Sequence, residues 1–312
     1  MLGLGLAASC VPSMFRPPEE WPRLHKWLTA GVPQPPQLLD ETSEVVKEQA
    51  DRAWRGYAAL REQLEAFRPD ALVVLAADDG RVFTQVHVPQ LATFLGDEIW
   101  GSTRIAQLGE EAEDDIVRLR CASELGAFAQ RELVEAGFDM SYSETLHPLG
   151  EPEYGTAAAF VAPAPLLFPG LDLPVVPIYV NCRLRPAPSG ARCYAFGRAL
   201  AEVLNERRER VAIFASGGLS HDYGGSRAGW VDVPFDEWAL DRFARGKGTA
   251  LGPIFDMESD ALRGGSAELR LWTIVAGACE ARGSKAVVVD YFPSFTAGAG
   301  IGFAYWPVNS SQ

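Results

Sequence analysis

Short runs of consecutive apolar residues alternate along the chain with longer segments in which apolar residues recur at helical spacing. The runs at 71–75 and 211–215 are apolar throughout, which is typical of strands that are covered on both faces of a sheet. Residues 43–67 place apolar side chains three or four positions apart, and Pro69 follows shortly afterwards. Because proline cannot continue a helix, we predict a long helix that ends before Pro69.

The rest of the pattern continues this alternation. It predicts strands at 2–8, 86–95 (broken by Pro89), 173–180 and 286–289, and helices near 21–28, 116–136, 189–207, 235–244 and 267–281. Strands that alternate with helices imply an α/β fold, with a central, mostly parallel or mixed sheet and helices on both faces. No repeat, low-complexity segment or distinct linker divides the sequence, so we expect a single domain over residues 1–312.

Composition and charge exclude several classes of function. The 312 residues are 47% hydrophobic and 22% charged, as in a soluble globular protein. A net charge of −13 argues against nucleic acid or an anionic membrane as a partner, because both require a basic surface. No apolar stretch reaches the roughly 18 residues that span a bilayer. The apolar N-terminus lacks a basic segment, which favours a first strand over a signal peptide.

Cysteine and histidine are sparse. The five cysteines are odd in number and lack CxxC spacing, which favours reduced thiols in a cytoplasmic protein over disulfides or a zinc site. Of the four histidines, His25 and His147 stand in proline-rich segments and are expected in solvent.

The most informative chemistry follows the predicted strand at 211–215. Gly217 and Gly218 allow the backbone to turn sharply and to pass close to a ligand, and His221 comes next, at the carboxyl end of the strand. Open α/β sheets bind ligands at that edge. An imidazole titrates near neutrality, so His221 is a candidate acid/base group. The alternative is a histidine that is incidental to a strand-to-loop turn.

Residues 217–221, with the sequence GGLSH, resemble the signature of class III extradiol ring-cleavage dioxygenases of the protocatechuate 4,5-dioxygenase β-subunit type. Residues 3–12, 75–80 and 264–272 resemble further segments of that family and occur in the same order. The resemblance implies a site for ferrous iron made of two histidines and one glutamate. It also implies a small catechol- or aminophenol-like aromatic as the substrate.

The chain departs from the family pattern at the implied iron ligands. Cys10 and Gly80 stand where the family has its two ligand histidines, whereas Glu268 matches the family glutamate. Two alternatives follow. Either ferrous iron is held by Glu268, Cys10 and a third ligand, for which His87 is the first candidate and Asp78 or Asp79 the others, or the protein uses no metal and no other cofactor.

The resemblance also implies roles around His221. In the family this histidine lies beside the metal and acts as an acid/base on substrate or bound oxygen, and Asp222 could orient it. The candidate substrate contacts are Gly218, Ser220, Arg227 and Ala158. An arginine suits a carboxylate or a phenolate, and Ala158 stands where the family has a further histidine. In the alternative interpretation, His221 only braces the turn, and Glu268 is an ordinary glutamate near a helix N-terminus.

Two classes of function agree with these residues. The preferred one is an enzyme of the dioxygenase superfamily that has an altered or absent ferrous site; without iron, its chemistry would be metal-free proton transfer, hydrolysis or carbon–carbon cleavage. The other is a non-catalytic companion subunit of a ring-cleavage dioxygenase. The expected assembly is a homodimer or a hetero-oligomer with a related subunit. The enzyme interpretation requires His221 and Glu268 to meet at one cavity, whereas a companion subunit does not need His221 or its glycine turn.

Overall fold

A computed structural model describes residues 1–307 and contains ten strands in that range. Their bounds are Leu2–Ala8 (β1), Ala71–Ala76 (β2), Leu91–Phe94 (β3), Glu98–Ser102 (β4), Ile116–Arg120 (β5), Met140–Ser143 (β6), Val175–Val180 (β7), Val211–Ser216 (β8), Val287–Ser294 (β9) and Ala299–Pro307 (β10). Eight of these strands form one sheet in the order β6-β3-β7-β2-β8-β1-β10-β9, and β4 and β5 form a separate antiparallel pair.

Eight helices accompany the strands in the described residues. Their bounds are Trp21–Leu28 (α1), Ser43–Phe67 (α2), Ser123–Glu135 (α3), Ala158–Val161 (α4), Ala164–Leu167 (α5), Gly190–Asn205 (α6), Val233–Ala244 (α7) and Gly264–Glu280 (α8). The predicted long helix at 43–67 is confirmed. An α-helix also covers most of each other predicted helical range. In the range 116–136 it covers only the second part, because α3 begins at Ser123.

The centre of the main sheet is parallel and covered on both faces. Strands β7, β2, β8 and β1 pair in parallel, while β10 runs antiparallel to β1 and β3 runs antiparallel to β7. Every residue of β2, β7 and β8 is buried. In β2, Val73 and Leu75 pack with α3, α6 and α8, whereas Leu72 and Val74 pack with α2, α4 and α5. This period of two confirms the predicted α/β fold with a mixed sheet.

Several elements differ from the prediction. Residues 116–136 were expected as one helix, but they form β5 followed by α3. Strand β5 pairs with β4, and its side chains alternate between one buried and one exposed face. Such alternation is typical of a strand rather than a helix. The strand expected at 86–95 is limited to β3, which leaves His87 in a turn. Strands β4, β6 and β10 were not predicted. The strand expected at 286–289 is β9, which continues to Ser294 along its partner β10.

The parallel strands bring several loops to one edge of the sheet. Residue Cys10 follows β1, Asp79 follows β2, Arg183 follows β7 and Gly217 follows β8. The fold thus collects residues from distant parts of the sequence where parallel sheets commonly bind ligands. The expectation of one domain over 1–312 stays a prediction, and its last five positions lie outside the described residues. No helix within residues 1–307 has the length and hydropathy needed to cross a membrane.

Helices α6 and α8 pack with their backbones in contact, and a substitution at this contact tests the fold. A Cβ atom on Gly197 would overlap the carbonyl oxygen of Ile274, a backbone atom that cannot move by rotating a side chain. We expect Gly197→Ala to lower the free energy of unfolding by about 3 kcal/mol, measured by urea titration.

The matched control is Gly126→Ala in α3. A Cβ there would meet only the ends of the Leu95 and Val176 side chains, at 3.2 and 3.5 Å. Its effect should stay within about 1 kcal/mol. Equal losses in the two variants would contradict the close backbone contact between α6 and α8.

Candidate active site

The carboxyl ends of β1, β2, β7 and β8 open into a cavity of about 480 Å³. Its lining includes Cys10, Asp79, Arg183 and His221 from the loops, together with Glu268 from α8. Glu268 and His221 are both buried, and His221 Nε2 lies 3.9 Å from Glu268 Oε1. The structure therefore brings together the imidazole and the carboxylate that the sequence singled out.

The glycine turn after β8 brings the backbone against the carboxylate of Glu268. Gly217 and Gly218 have φ angles of +137° and +68°, which favour glycine. The backbone N–H of Gly218 donates to Glu268 Oε2 at 2.9 Å, and a Cβ on Gly217 would lie 2.6 Å from the same oxygen. Gly218, predicted as a substrate contact, thus uses its N–H to hold Glu268.

His221 is held as a neutral ring. Its Nδ1 lies 3.1 Å from the carbonyl oxygen of Leu219, and its Nε2 lies 3.3 Å from Nη2 of Arg183. A guanidinium only donates, so Nε2 accepts and Nδ1–H donates to Leu219. Burial lowers the pKa of His221; the negative charge of Glu268 opposes this effect, and the positive charge of Arg183 adds to it. The ring also lies against Tyr223, with ring centroids 4.9 Å apart.

Arg183, which the sequence analysis missed, connects the acidic groups of the site. Its Nε donates to Glu268 Oε1 at 2.9 Å, its Nη2 donates to the same oxygen, and its Nη1 lies 3.1 Å from Asp79 Oδ1. Burial alone would raise the pKa of Glu268, but the charge and hydrogen bonds of Arg183, together with the Gly218 N–H, hold it below its usual value. The available signal was position, because Arg183 follows β7 at the edge where ligands bind.

The residues present do not fit the iron site that the resemblance implies. Within residues 1–307, no group of three His, Cys, Asp or Glu side chains is placed to hold a metal. His87 is exposed in its turn, and Arg183 occupies Glu268 Oε1. The predicted ligand set of Glu268, Cys10 and His87 is not assembled.

Comparison with known proteins assigns the family. Residues 29–302 match the family described as the catalytic LigB subunit of aromatic ring-opening dioxygenase. The chain belongs to this family.

Individual relatives are more distant. A 2,3-dihydroxyphenylpropionate/2,3-dihydroxicinnamic acid 1,2-dioxygenase of Klebsiella pneumoniae (strain 342) is 28% identical over 198 residues, and the enzyme of the same name from Escherichia coli O139:H28 is 27% identical over 198 residues. Each alignment covers 63% of this chain and 54% of the relative, so the chain spans about half the length of these relatives.

A solved structure shares the fold. The crystal structure of an uncharacterized protein from Escherichia coli K12 superposes with a TM-score of 0.53 and 12% sequence identity, covering 97% of this chain and 99% of that one. At this identity the likeness concerns the fold alone.

Two residues predicted beside His221 of this LigB-family chain have local partners instead. The Asp222 carboxylate accepts the backbone N–H of Arg227 at 3.1 Å. The hydrogen bond that orients His221 Nδ1 goes to the carbonyl oxygen of Leu219 instead. The Arg227 side chain lies 3.8 Å from Asp232 and is not among the residues that line the cavity. Ala158, at the start of α4, does line it.

The two histidines from proline-rich segments, both expected in solvent, differ in their exposure. His147 is exposed, as expected. The expectation was wrong for His25, which is buried in α1 with Nδ1 3.1 Å from the carbonyl oxygen of Thr296. The apolar face of the short helix α1 includes this ring, which the proline-rich surroundings did not indicate.

Ser220 does not line the cavity; it connects the loop that carries His221 to Asp236 of α7. Its backbone N–H and its hydroxyl donate to the two carboxylate oxygens of Asp236, at 3.0 and 2.7 Å. The hydroxyl of Tyr291 donates to Asp236 Oδ2 at 3.1 Å. We therefore interpret Ser220 as a positioning residue rather than the predicted substrate contact. Burial raises the pKa of Asp236 to about 7.

This buried carboxyl predicts a pH-dependent stability. The raised pKa means that the folded chain binds the Asp236 proton more tightly than the unfolded chain. The stabilisation is complete below the ordinary value of 3.8 and is lost as the pH rises through about 7. Relative to Asp236→Asn, the free energy of unfolding of the wild type should fall by a few kcal/mol over this range.

Urea titrations at several pH values measure this difference. Asp139→Asn is the matched control, because Asp139 is fully exposed and its variant should follow the wild type. Parallel pH profiles for the wild type and Asp236→Asn would contradict the raised pKa.

Proposed function

We propose that this LigB-family chain is an enzyme that acts on a small catechol- or aminophenol-like aromatic in the 480 Å³ cavity, with His221 as the acid/base group and with the family's iron site altered or lost. One observation carries the proposal. A buried, neutral imidazole lies on the wall of a cavity that is large enough for one aromatic ring and its substituents.

The cavity combines apolar walls with a charged end. Phe15, Trp27 and Tyr223 are among its lining residues, as is Ala158, where a small side chain leaves space. Arg183 and Glu268 lie at the charged end beside His221. Apolar walls with a few convergent polar groups are typical of sites for small molecules, since the walls bind the ring and the polar groups fix its orientation.

The protonation state of His221 suits a base. Its Nε2 faces the charged end of the cavity and accepts from Arg183 at 3.3 Å, which is longer than the 2.9 Å contact between Arg183 Nε and Glu268. A phenolic hydroxyl that enters the cavity can take over as the donor to Nε2. The imidazole can then accept the phenolic proton while Arg183 stabilises the resulting phenolate.

The proposed acid/base role of His221 does not depend on bound iron. The side chains do not fit the family's iron site, so we derive no ring-opening step. We assign His221 the proton transfer at a phenolic hydroxyl that begins a metal-free hydrolysis or carbon–carbon cleavage of the aromatic. The remaining alternative is a companion subunit, which agrees with the loss of the ligand histidines. That subunit would copurify with a relative that carries them, and would itself turn over no aromatic. The predicted cytoplasmic location and oligomeric assembly remain parts of the proposal.

The His221→Gln variant tests the acid/base role. Purified protein is incubated with catechol, 2-aminophenol and 2,3-dihydroxyphenylpropionate, and substrate loss and products are followed by mass spectrometry. We expect turnover in the wild type and a roughly 100-fold slower rate in His221→Gln, because a glutamine cannot accept the proton. Affinity for the aromatic should change little.

His147→Gln is the control, since His147 is exposed and is not among the cavity-lining residues. An unchanged rate in His221→Gln would refute the acid/base role. Absence of turnover for the whole panel, with copurification of a related chain, would favour the companion subunit.

Arg104 indicates a second feature of the substrate. It lines the same cavity, and its Nε is buried without a hydrogen-bond partner. Within residues 1–307 its guanidinium forms no ion pair. We propose that it binds an acidic substituent of the aromatic. Both relatives described above are named for 2,3-dihydroxyphenylpropionate, whose side chain carries a carboxylate.

Arg104→Gln should therefore weaken binding of 2,3-dihydroxyphenylpropionate by about tenfold or more, and leave binding of unsubstituted catechol unchanged. Isothermal titration of both ligands measures the difference. The control is Arg118→Gln, because Arg118 is exposed on β5 and pairs with Glu98. Equal losses for the two ligands would show that Arg104 does not recognise the carboxylate.

A further inference from the structure

The guanidinium of Arg183 lies among the groups that a metal at this site would need. It contacts Glu268 Oε1 through Nε and Nη2, His221 through Nη2 and Asp79 through Nη1. Glu268 belongs to the family's ligand pattern, and Asp79 and His221 lie beside it at the same cavity. One side chain thus connects three groups that otherwise have no common partner.

We propose that Arg183 is the resident cation of this site, and that its guanidinium takes the place of a divalent metal between Glu268, His221 and Asp79. The claim concerns charge and metal binding only. It can therefore fail while the proposed action on an aromatic holds, and the reverse is also true.

Charge balance is the first argument. The Glu268 side chain is 6% exposed, and a carboxylate removed from water requires a positive partner or strong hydrogen-bond donors. His221 does not supply the charge, because its hydrogen bonds correspond to the neutral ring. Arg183 does, and a guanidinium stays charged at every accessible pH. A divalent ion placed on Glu268 would also be repelled by the guanidinium at hydrogen-bond distance from the same oxygen.

The loop after β2 supplies the second argument. Gly80, at the place of the family's second ligand histidine, has a φ angle of +82°, which side-chain-bearing residues rarely adopt. The neighbouring Asp78 carboxylate accepts the backbone N–H groups of Val82 and Phe83, at 2.7 to 3.1 Å. Its oxygens are therefore engaged in holding the loop. The loop is built around a glycine and an internal carboxylate, not around a metal ligand.

A double-mutant cycle tests the charge. Arg183→Met leaves the Glu268 carboxylate without its cation, and we expect the melting temperature to fall by roughly 5 °C, with water in the cavity limiting the loss. Glu268→Gln in the same chain removes the unpaired charge and should recover most of that loss. Arg183→Lys, which keeps a cation, should lie between Arg183→Met and the wild type.

The control is Arg185→Met, because Arg185 and its partner Glu258 are both exposed and such pairs contribute little. Its melting temperature should stay within roughly 1 °C of the wild type. If Arg183→Met fails to fold while the double variant folds, the proposal is supported. Additive losses in the cycle, or a double variant as unstable as Arg183→Met, would overturn it.

Metal binding provides the independent readout. Wild-type protein is incubated anaerobically with Fe²⁺ and separately with Co²⁺, desalted, and analysed for metal content and melting temperature. We expect well below one ion per chain and no rise in melting temperature. Stoichiometric retention of either ion by the wild type, lost in Glu268→Gln, would overturn the proposal.

Discussion

The buried carboxylate of Glu268 is the constraint on which the arrangement of the site depends. One of its oxygens accepts from the glycine turn after β8, and the other accepts from Arg183 in the loop after β7. Helix α8 supplies the carboxylate itself. Two loops and a helix thus take their relative positions from one ionised group, which remains ionised because those same partners lower its pKa.

The imidazole depends on the same arrangement. His221 lies against the glycine pair at the start of α8, where a Cβ on Gly265 would overlap its ring. Its two nitrogens are fixed by Leu219 and Arg183, while Ser220 and Asp236 hold the loop from the opposite side. Position, tautomer and charge of the ring therefore follow from neighbours on three elements, and a ligand in the cavity meets a group that is already oriented.

The central fold could be predicted from the sequence because buried parallel strands and long amphipathic helices leave strong periodic patterns. The apolar runs that became β2 and β8, and the spacing that became α2, are of this kind. The failures lie where neighbours decide the structure. Strand β5 needs β4 beside it, and β10 needs β1 and β9. A segment of mixed polarity that is defined by its partners cannot be recognised from local periodicity alone.

The site was predictable in part for a related reason. The glycine turn, His221 and Glu268 form local motifs, and the resemblance of those motifs indicated their meeting. Arg183 belongs to no motif, and only the register of four parallel strands brings it to the others. The directions of Asp222 and Ser220 could not be predicted either, because residues adjacent in sequence turn to different partners in the loop.

The positive φ angle of Gly80 has a consequence for how the sequence can change. A histidine there would strain the backbone at this φ angle, and replacing Arg183 first would leave Glu268 buried without a counter-charge. Each single step toward an imidazole-rich pocket is therefore unfavourable before the next one is taken. A lineage with this loop would therefore have to change several positions together before the pocket could hold a metal through imidazoles.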